Sequence, residues 1–249
     1  MRRESTAALV LRRWPYSEHS LALRLLTPGH GVLSVLAKGA YKPTSGFFGV
    51  LDTWALVEVQ LGFHEEAEMQ NLYAARLLDR MSGLSADADR LAVAGFAAEL
   101  AELAAPPGPE AAAAFHYLLS QLHELTEGDA PGRRLLLAAA TGLELLGLSP
   151  DLEAGADPGS GTAWLCVAEG RLLAPGEARP HGPAHRVGGP LLALLRALRA
   201  GETAAVDAAR SEDREAALTI LGDLLHYHLE RPPRAWDFLR RRRPTAATR

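Results

Sequence analysis

The side chains best suited to holding a polyanion sit in one short stretch, Ala37-Lys38-Gly39-Ala40-Tyr41-Lys42-Pro43-Thr44-Ser45, followed by Gly49-Val50-Leu51-Asp52. Lys38 and Lys42 are the only lysines in the chain, and each ammonium can neutralise a phosphate. Tyr41 stands between them and offers a ring face on which a nucleobase can stack. Arg12, Arg13 and Arg24 add cations upstream, with Arg2 and Arg3 behind them and Trp14 beside the arginine pair. A basic, solvated surface turn answers to the same description. Enzyme chemistry finds less to work with: no Gly-rich phosphate loop and no Gly-x-Ser-x-Gly elbow occurs, and no carboxylate pair has an acid–base spacing. His226 and His228 lie two apart, so on a helix they face different directions. His181 and His185 are separated by Gly182 and Pro183, which oppose a helix. Cys166 is the sole cysteine, which excludes an intrachain disulfide and a Cys-rich zinc site. No metal, no cofactor and no catalytic residue is expected.

The elements that would position these groups change character along the chain. Up to about residue 76 the apolar pattern has period two. Thr6–Arg12, Leu21–Leu26, Leu33–Lys38, Val57–Phe63 and Gln70–Ala74 read as five short strands, with Thr27-Pro28-Gly29-His30-Gly31 as turn chemistry between the second and third. Five strands in about 70 residues with no helix between most of them predict a small closed barrel. After residue 83 the period becomes helical. Ser85 or Asp87 can cap one helix, Pro109 opens a second that Gly128 closes, and Pro131 opens a third running to Gly147. Residues 149–189 are rich in Gly, Pro and Ala, with one strand-like island at Trp164–Ala168. Helices are expected again at Pro190–Ala200, near Ala204 and at Asp213–Leu229, where Pro232 and Pro233 end the pattern. The class is α+β, with domains at 1–82 and 83–249 and an insertion at about 149–189.

Charge is unevenly spread. The net charge is −4, yet residues 1–45 carry +5 and residues 231–249, with seven arginines against Asp237, carry +6. The middle therefore stands at −15, which favours anion contacts at the two ends and repels DNA between them. No run approaches the ~20 apolar residues of a membrane span, and Met1-Arg2-Arg3-Glu4 followed by Arg12 and Arg13 does not read as a signal peptide. A cytoplasmic protein without a membrane partner is the expectation.

Thr6-Ala7-Ala8-Leu9-Val10-Leu11-Arg12-Arg13, Tyr16-Ser17-Glu18, Leu25-Leu26-Thr27-Pro28, His30-Gly31 and the Ala-Lys-Gly-Ala loop resemble, in order and spacing, the amino-terminal OB domain of the RecO family. Leu145-Leu146-Gly147 to Pro150-Asp151-Leu152 resembles the family's junction after its central helices, and Leu225-His226-Tyr227-His228-Leu229 with Phe238-Leu239 its closing helix. The resemblance implies an OB-type five-stranded barrel followed by a mostly helical domain. It also implies a non-enzymatic recombination mediator in DNA repair, one that binds and anneals single-stranded DNA and assists RecA loading together with RecR and the single-strand-binding protein. The DNA-binding residues so implied are Arg12, Arg13, Arg24, Lys38, Tyr41 and Lys42.

Two departures from the family pattern stand out. Many RecO proteins hold a structural zinc with two Cys-x-x-Cys pairs, whereas the aligned positions here are Gly155, Pro158, Ala174 and Glu177. The insertion is thus expected to be zinc-less. The central helix reads Ala138-Ala139-Ala140-Thr141-Gly142, where the family tends to carry an aromatic and a carboxylate. Both departures favour an alternative, a protein-interaction adaptor of the same fold with little or no DNA binding.

Overall fold

A computed structural model describes residues 2–42, 44–64, 67–153, 161–173, 177 and 181–242. Five strands form a closed barrel in the order β1-β2-β3-β5-β4: β1 Arg2–Ser17, β2 Ser20–Thr27, β3 Gly31–Ala37, β4 Leu56–Phe63 and β5 Gln70–Asp79. All ladders are antiparallel except β3 on β5, the parallel pairing that closes the barrel. Alternation explains the closure: Ala8, Val10, Leu21, Leu23, Leu25, Val35, Ala37, Val57, Val59, Leu61 and Leu72 point inward and form one buried cluster. A register shift in β1 between Val10 and Arg12 changes which residues follow. Beyond it Arg12 lies opposite Arg24, and Arg13 lies opposite the inward-facing Leu23. The bulge thereby aims Arg13 at the barrel's end and Arg12 at its outer surface.

The chain divides into two compact units, residues 1–88 with 101–128, and residues 89–100 with 129–249. In the first, a 3-10 turn at Ser82–Ala86 follows the barrel. The last residues of α1 (Ala88–Ala104) and all of α2 (Ala112–Thr126) also belong to this unit. Pro109 starts a short 3-10 turn rather than the α-helix itself, which begins three residues later. Phe115, Leu118, Leu122 and Leu125 give α2 its buried stripe.

The second unit is mostly helical. It contains α3 (Pro131–Leu145), α4 (Gly189–Arg199), α5 (Thr203–Ala208), α6 (Ser211–His228) and α7 (Arg234–Arg242). Where one strand was expected in the insertion there are three: β6 Thr162–Cys166, β7 Arg171–Leu172 and β8 Ala184–Gly188, in the order β7-β6-β8. Only β6 has enough apolar length to be read locally; β7 has two residues, and Val187 is the one buried side chain of β8. Helix α7 continues the chain beyond Pro232 and Pro233. Its buried Trp236 lies across α6 at Gly222, where an added Cβ would come within 2.3 Å of the indole ring. The same indole meets Phe96 at 5.3 Å between ring centroids.

Candidate nucleic-acid interface

Of the six residues expected to bind DNA, the structure groups three on one loop and gives the other three carboxylate partners. The loop follows β3 directly. Gly39 takes φ +73, a left-handed conformation that L side chains rarely adopt, and its carbonyl accepts the Lys42 amide at 3.0 Å. The Tyr41 amide donates to the His19 carbonyl at 3.4 Å, which ties this turn to the β1–β2 connection. Further turns run on, with Ser45 N donating to Lys42 O at 2.9 Å, Phe48 N to Ser45 O at 3.3 Å and Val50 N to Phe47 O at 3.2 Å. Ala40 and Leu51 are buried in the barrel cluster, and Phe47 and Val50 pack against it. Lys38, Tyr41 and Lys42 face solvent, with Tyr41 50% exposed. Neither lysine has an ion pair among the described residues.

The arginines are held differently. Glu102, on the last turn of α1, accepts from Arg12 Nη2 at 2.5 Å and from Arg24 Nε at 2.9 Å. Arg24 also reaches Ser34 Oγ at 3.1 Å. At the barrel's end Arg13 Nη1 donates to Asp52 Oδ1 at 2.8 Å and to the Leu51 carbonyl at 3.2 Å. Arg80 takes the other Asp52 oxygen at 2.7 Å and the Gly49 carbonyl at 2.7 Å. Two arginines thus share Glu102 and two share Asp52, so each group keeps one net positive charge. An arginine tied to a carboxylate meets a phosphate either with the N–H groups the carboxylate leaves open or by exchanging one anion for the other.

Reading residue types missed Arg80, the two carboxylates and Phe48, which at 83% is the most exposed of the large apolar side chains among the described residues. Gly46-Phe47-Phe48-Gly49 carried one usable signal, since adjacent aromatics on a short loop cannot both turn inward. Trp14 and Tyr16, also exposed, lie on the same end of β1.

Three histidines in the second unit have their own partners, while His181 is exposed. His185 Nε2 lies 2.9 Å from Asp223 Oδ2, His226 Nδ1 2.9 Å from the Gly222 carbonyl, and His228 Nε2 2.8 Å from the Val167 carbonyl. Among the described residues no cluster of three or more metal-ligating side chains is present. Of the four positions aligned with the family's zinc ligands, Gly155, Pro158 and Ala174 lie outside the described residues. Glu177 makes two 3.1 Å contacts with Arg171. Residues 243–249 of the basic tail also lie outside them, whereas Arg240 is in α7. No described helix is long and apolar enough to cross a membrane.

Comparison with known proteins covers nearly the whole chain. Residues 1–81 match the family described as Recombination protein O N terminal, and residues 85–237 match Recombination protein O C terminal. A protein named DNA repair protein RecO from Desulforudis audaxviator is 33% identical over 255 residues, covering 97% of this chain and 98% of its own. Proteins of the same name from a Nocardioides species and from Anaeromyxobacter dehalogenans are 30% and 32% identical. They cover 94% and 96% of this chain and 98% and 96% of their own.

Proposed function

Because this chain belongs to the RecO family, we propose that it is a non-enzymatic DNA repair and recombination mediator whose barrel binds single-stranded DNA along the Lys38–Lys42 loop. The observation that carries this reading is the pair of exposed lysines flanking an exposed tyrosine on a loop anchored at both ends. Lys38 and Lys42 would neutralise backbone phosphates, and Tyr41 would stack a base between them. Arg12, Arg13 and Arg24 would contribute through the single net charge left by each shared carboxylate. Neutralisation of this kind draws two like-charged strands onto one protein, which is the physical requirement for annealing them. In this reading residues 1–82 form the nucleic-acid-binding domain and residues 83–249 the helical domain that meets partners. RecR and the single-strand-binding protein are those partners, RecA loading is the outcome, and the cytoplasmic nucleoid is the location.

A second reading has its own support. The carboxylate partners of Arg12, Arg13 and Arg24 remove much of the barrel's surplus charge, as expected of an adaptor that reads a protein instead of DNA. Fluorescence anisotropy of a labelled single strand at two salt concentrations separates them. Binding that weakens steeply with salt supports the mediator, whereas the absence of binding at low salt overturns it and favours the adaptor.

A further inference from the structure

Phe48 is 83% exposed on a loop whose neighbouring ring, Phe47, packs against the barrel core. Leaving a phenylalanine in water forgoes about 2 kcal/mol of burial, and single exposed apolar side chains are common on protein surfaces. Three features set this one apart. It is held on both sides: its own amide donates to Ser45 O at 3.3 Å, and the next carbonyl, Gly49 O, accepts Arg80 Nη2 at 2.7 Å. The chain from Lys38 to Leu51 contains two lysines and no carboxylate, and Asp52 beyond it is shared by Arg13 and Arg80, so the ring stands on a loop of net positive charge. Tyr41 supplies a second half-exposed ring on the same loop.

We infer that Phe48 is a base-stacking platform that makes this loop selective for unpaired strands. The inference rests on the single-strand reading given above. A partner for this loop must offer negative charge and a flat apolar face together, and a single-stranded nucleic acid does so at every nucleotide. A phenyl ring has no hydrogen-bonding group, so it accepts any base, and stacking is tolerant of sequence. It accepts only a base free of its helical neighbours, because the faces of a duplex are already covered by adjacent pairs. Lysine contacts with phosphate make no such distinction. Discrimination between single and double strands therefore falls to the rings. A base lying on Phe48 also keeps its pairing edge open to a second strand.

The test uses the full chain carrying Phe48→Ala or Phe48→Trp, titrated against an oligothymidine, an abasic strand of equal length and a duplex. Phe48→Ala should weaken oligothymidine binding about tenfold, within the range for losing one stacked base. Abasic-strand and duplex affinities, the slope of affinity with salt and the thermal midpoint should stay unchanged. Phe48→Trp should restore the oligothymidine affinity. Unchanged oligothymidine binding by Phe48→Ala overturns the inference, as does an equal loss on the abasic strand. If those losses appear but the Lys38/Lys42 double variant binds normally, the ring acts without the loop cations and the reading beneath it fails instead. A wild-type protein that binds no strand sinks both.

Discussion

Cations do opposite work in two regions of this molecule. At the start of α3, Arg134 is buried, and its Nε donates to the equally buried Asp129 at 2.8 Å. Arg133 Nε reaches the other carboxylate oxygen at 2.6 Å. On the barrel loop, Lys38 and Lys42 stand in solvent on a connection whose apolar residues, not its charges, hold it in place. Arg12, Arg13 and Arg24 fall between these extremes, partly exposed and each tied to a carboxylate. A charge taken out of water must bring its counter-charge with it, so it becomes part of the fold. A charge left in water is free to exchange its hydration and counterions for a ligand's phosphate.

The largest effect expected from this contrast is structural. Asp129→Asn leaves Arg134 buried beside a neutral amide, and breaking a buried pair in this way costs about 3–5 kcal/mol of stability. The Asp129 carboxyl carries a second signature. Burial pushes its pKa up, but the hydrogen bonds and charges of Arg133 and Arg134 outweigh that and hold it below its ordinary value. A carboxyl depressed on folding contributes fully above its unfolded pKa and loses that contribution as pH falls through the folded one. The gap in thermal midpoint between wild type and Asp129→Asn should therefore narrow below about pH 4. A gap that is small at neutral pH, or one that does not change with pH, would mean the pair is not holding the fold.

The loop comes next. Tyr41→Ala should cost about 1–3 kcal/mol of single-strand affinity with the salt slope unchanged, as for one stacked base. Neutralising Lys38 and Lys42 together should weaken binding to all sequences alike and lower the log–log salt slope by roughly 1.4, about 0.7 for each phosphate contact. Neither change should move the thermal midpoint, in contrast to Asp129→Asn. Truncation before Arg240 serves as the control. Were it to abolish binding while the double lysine variant bound normally, the DNA would be held by the tail and not by the loop.

How much of this could be read in advance follows the range of the interactions. The barrel was legible because inward residues such as Val57, Val59 and Leu61 alternate with Glu58 and Gln60, a pattern that needs no distant partner. The Lys38-Tyr41-Lys42 loop was legible for the same reason. Helix α7 was legible only through the likeness of Phe238-Leu239 to the family's closing helix, since Pro232 and Pro233 locally signal an end. What secures it is the close approach of Trp236 to Gly222 and Phe96, from other parts of the sequence. The pairing of Arg12 and Arg24 with Glu102 was hidden, because 90 and 78 residues separate the partners. Five cations, Arg12, Arg13, Arg24, Lys38 and Lys42, that read as one site in sequence therefore divide into two kinds.

That division gives the smallest and sharpest of the expected effects. Glu102→Gln keeps the size and hydrogen-bonding reach of the side chain but removes the charge that Arg12 and Arg24 share. Exposed ion pairs contribute about 0–1 kcal/mol, and these arginines are 62% and 37% exposed, so the thermal midpoint should barely move. Single-strand affinity should rise a few-fold, and the salt slope should steepen by about 0.7 if one released arginine finds a phosphate. The slope is the informative part, because it counts phosphate contacts, whereas tighter binding alone follows from removing any carboxylate close to a bound polyanion. A gain of this kind means that Glu102 competes with DNA for a strand that passes over β1 and β2 as well as the loop. Unchanged affinity and slope would mean that the strand never reaches that face. Arg12 and Arg24 would then be surface cations outside the site, and the binding surface would contract to the loop.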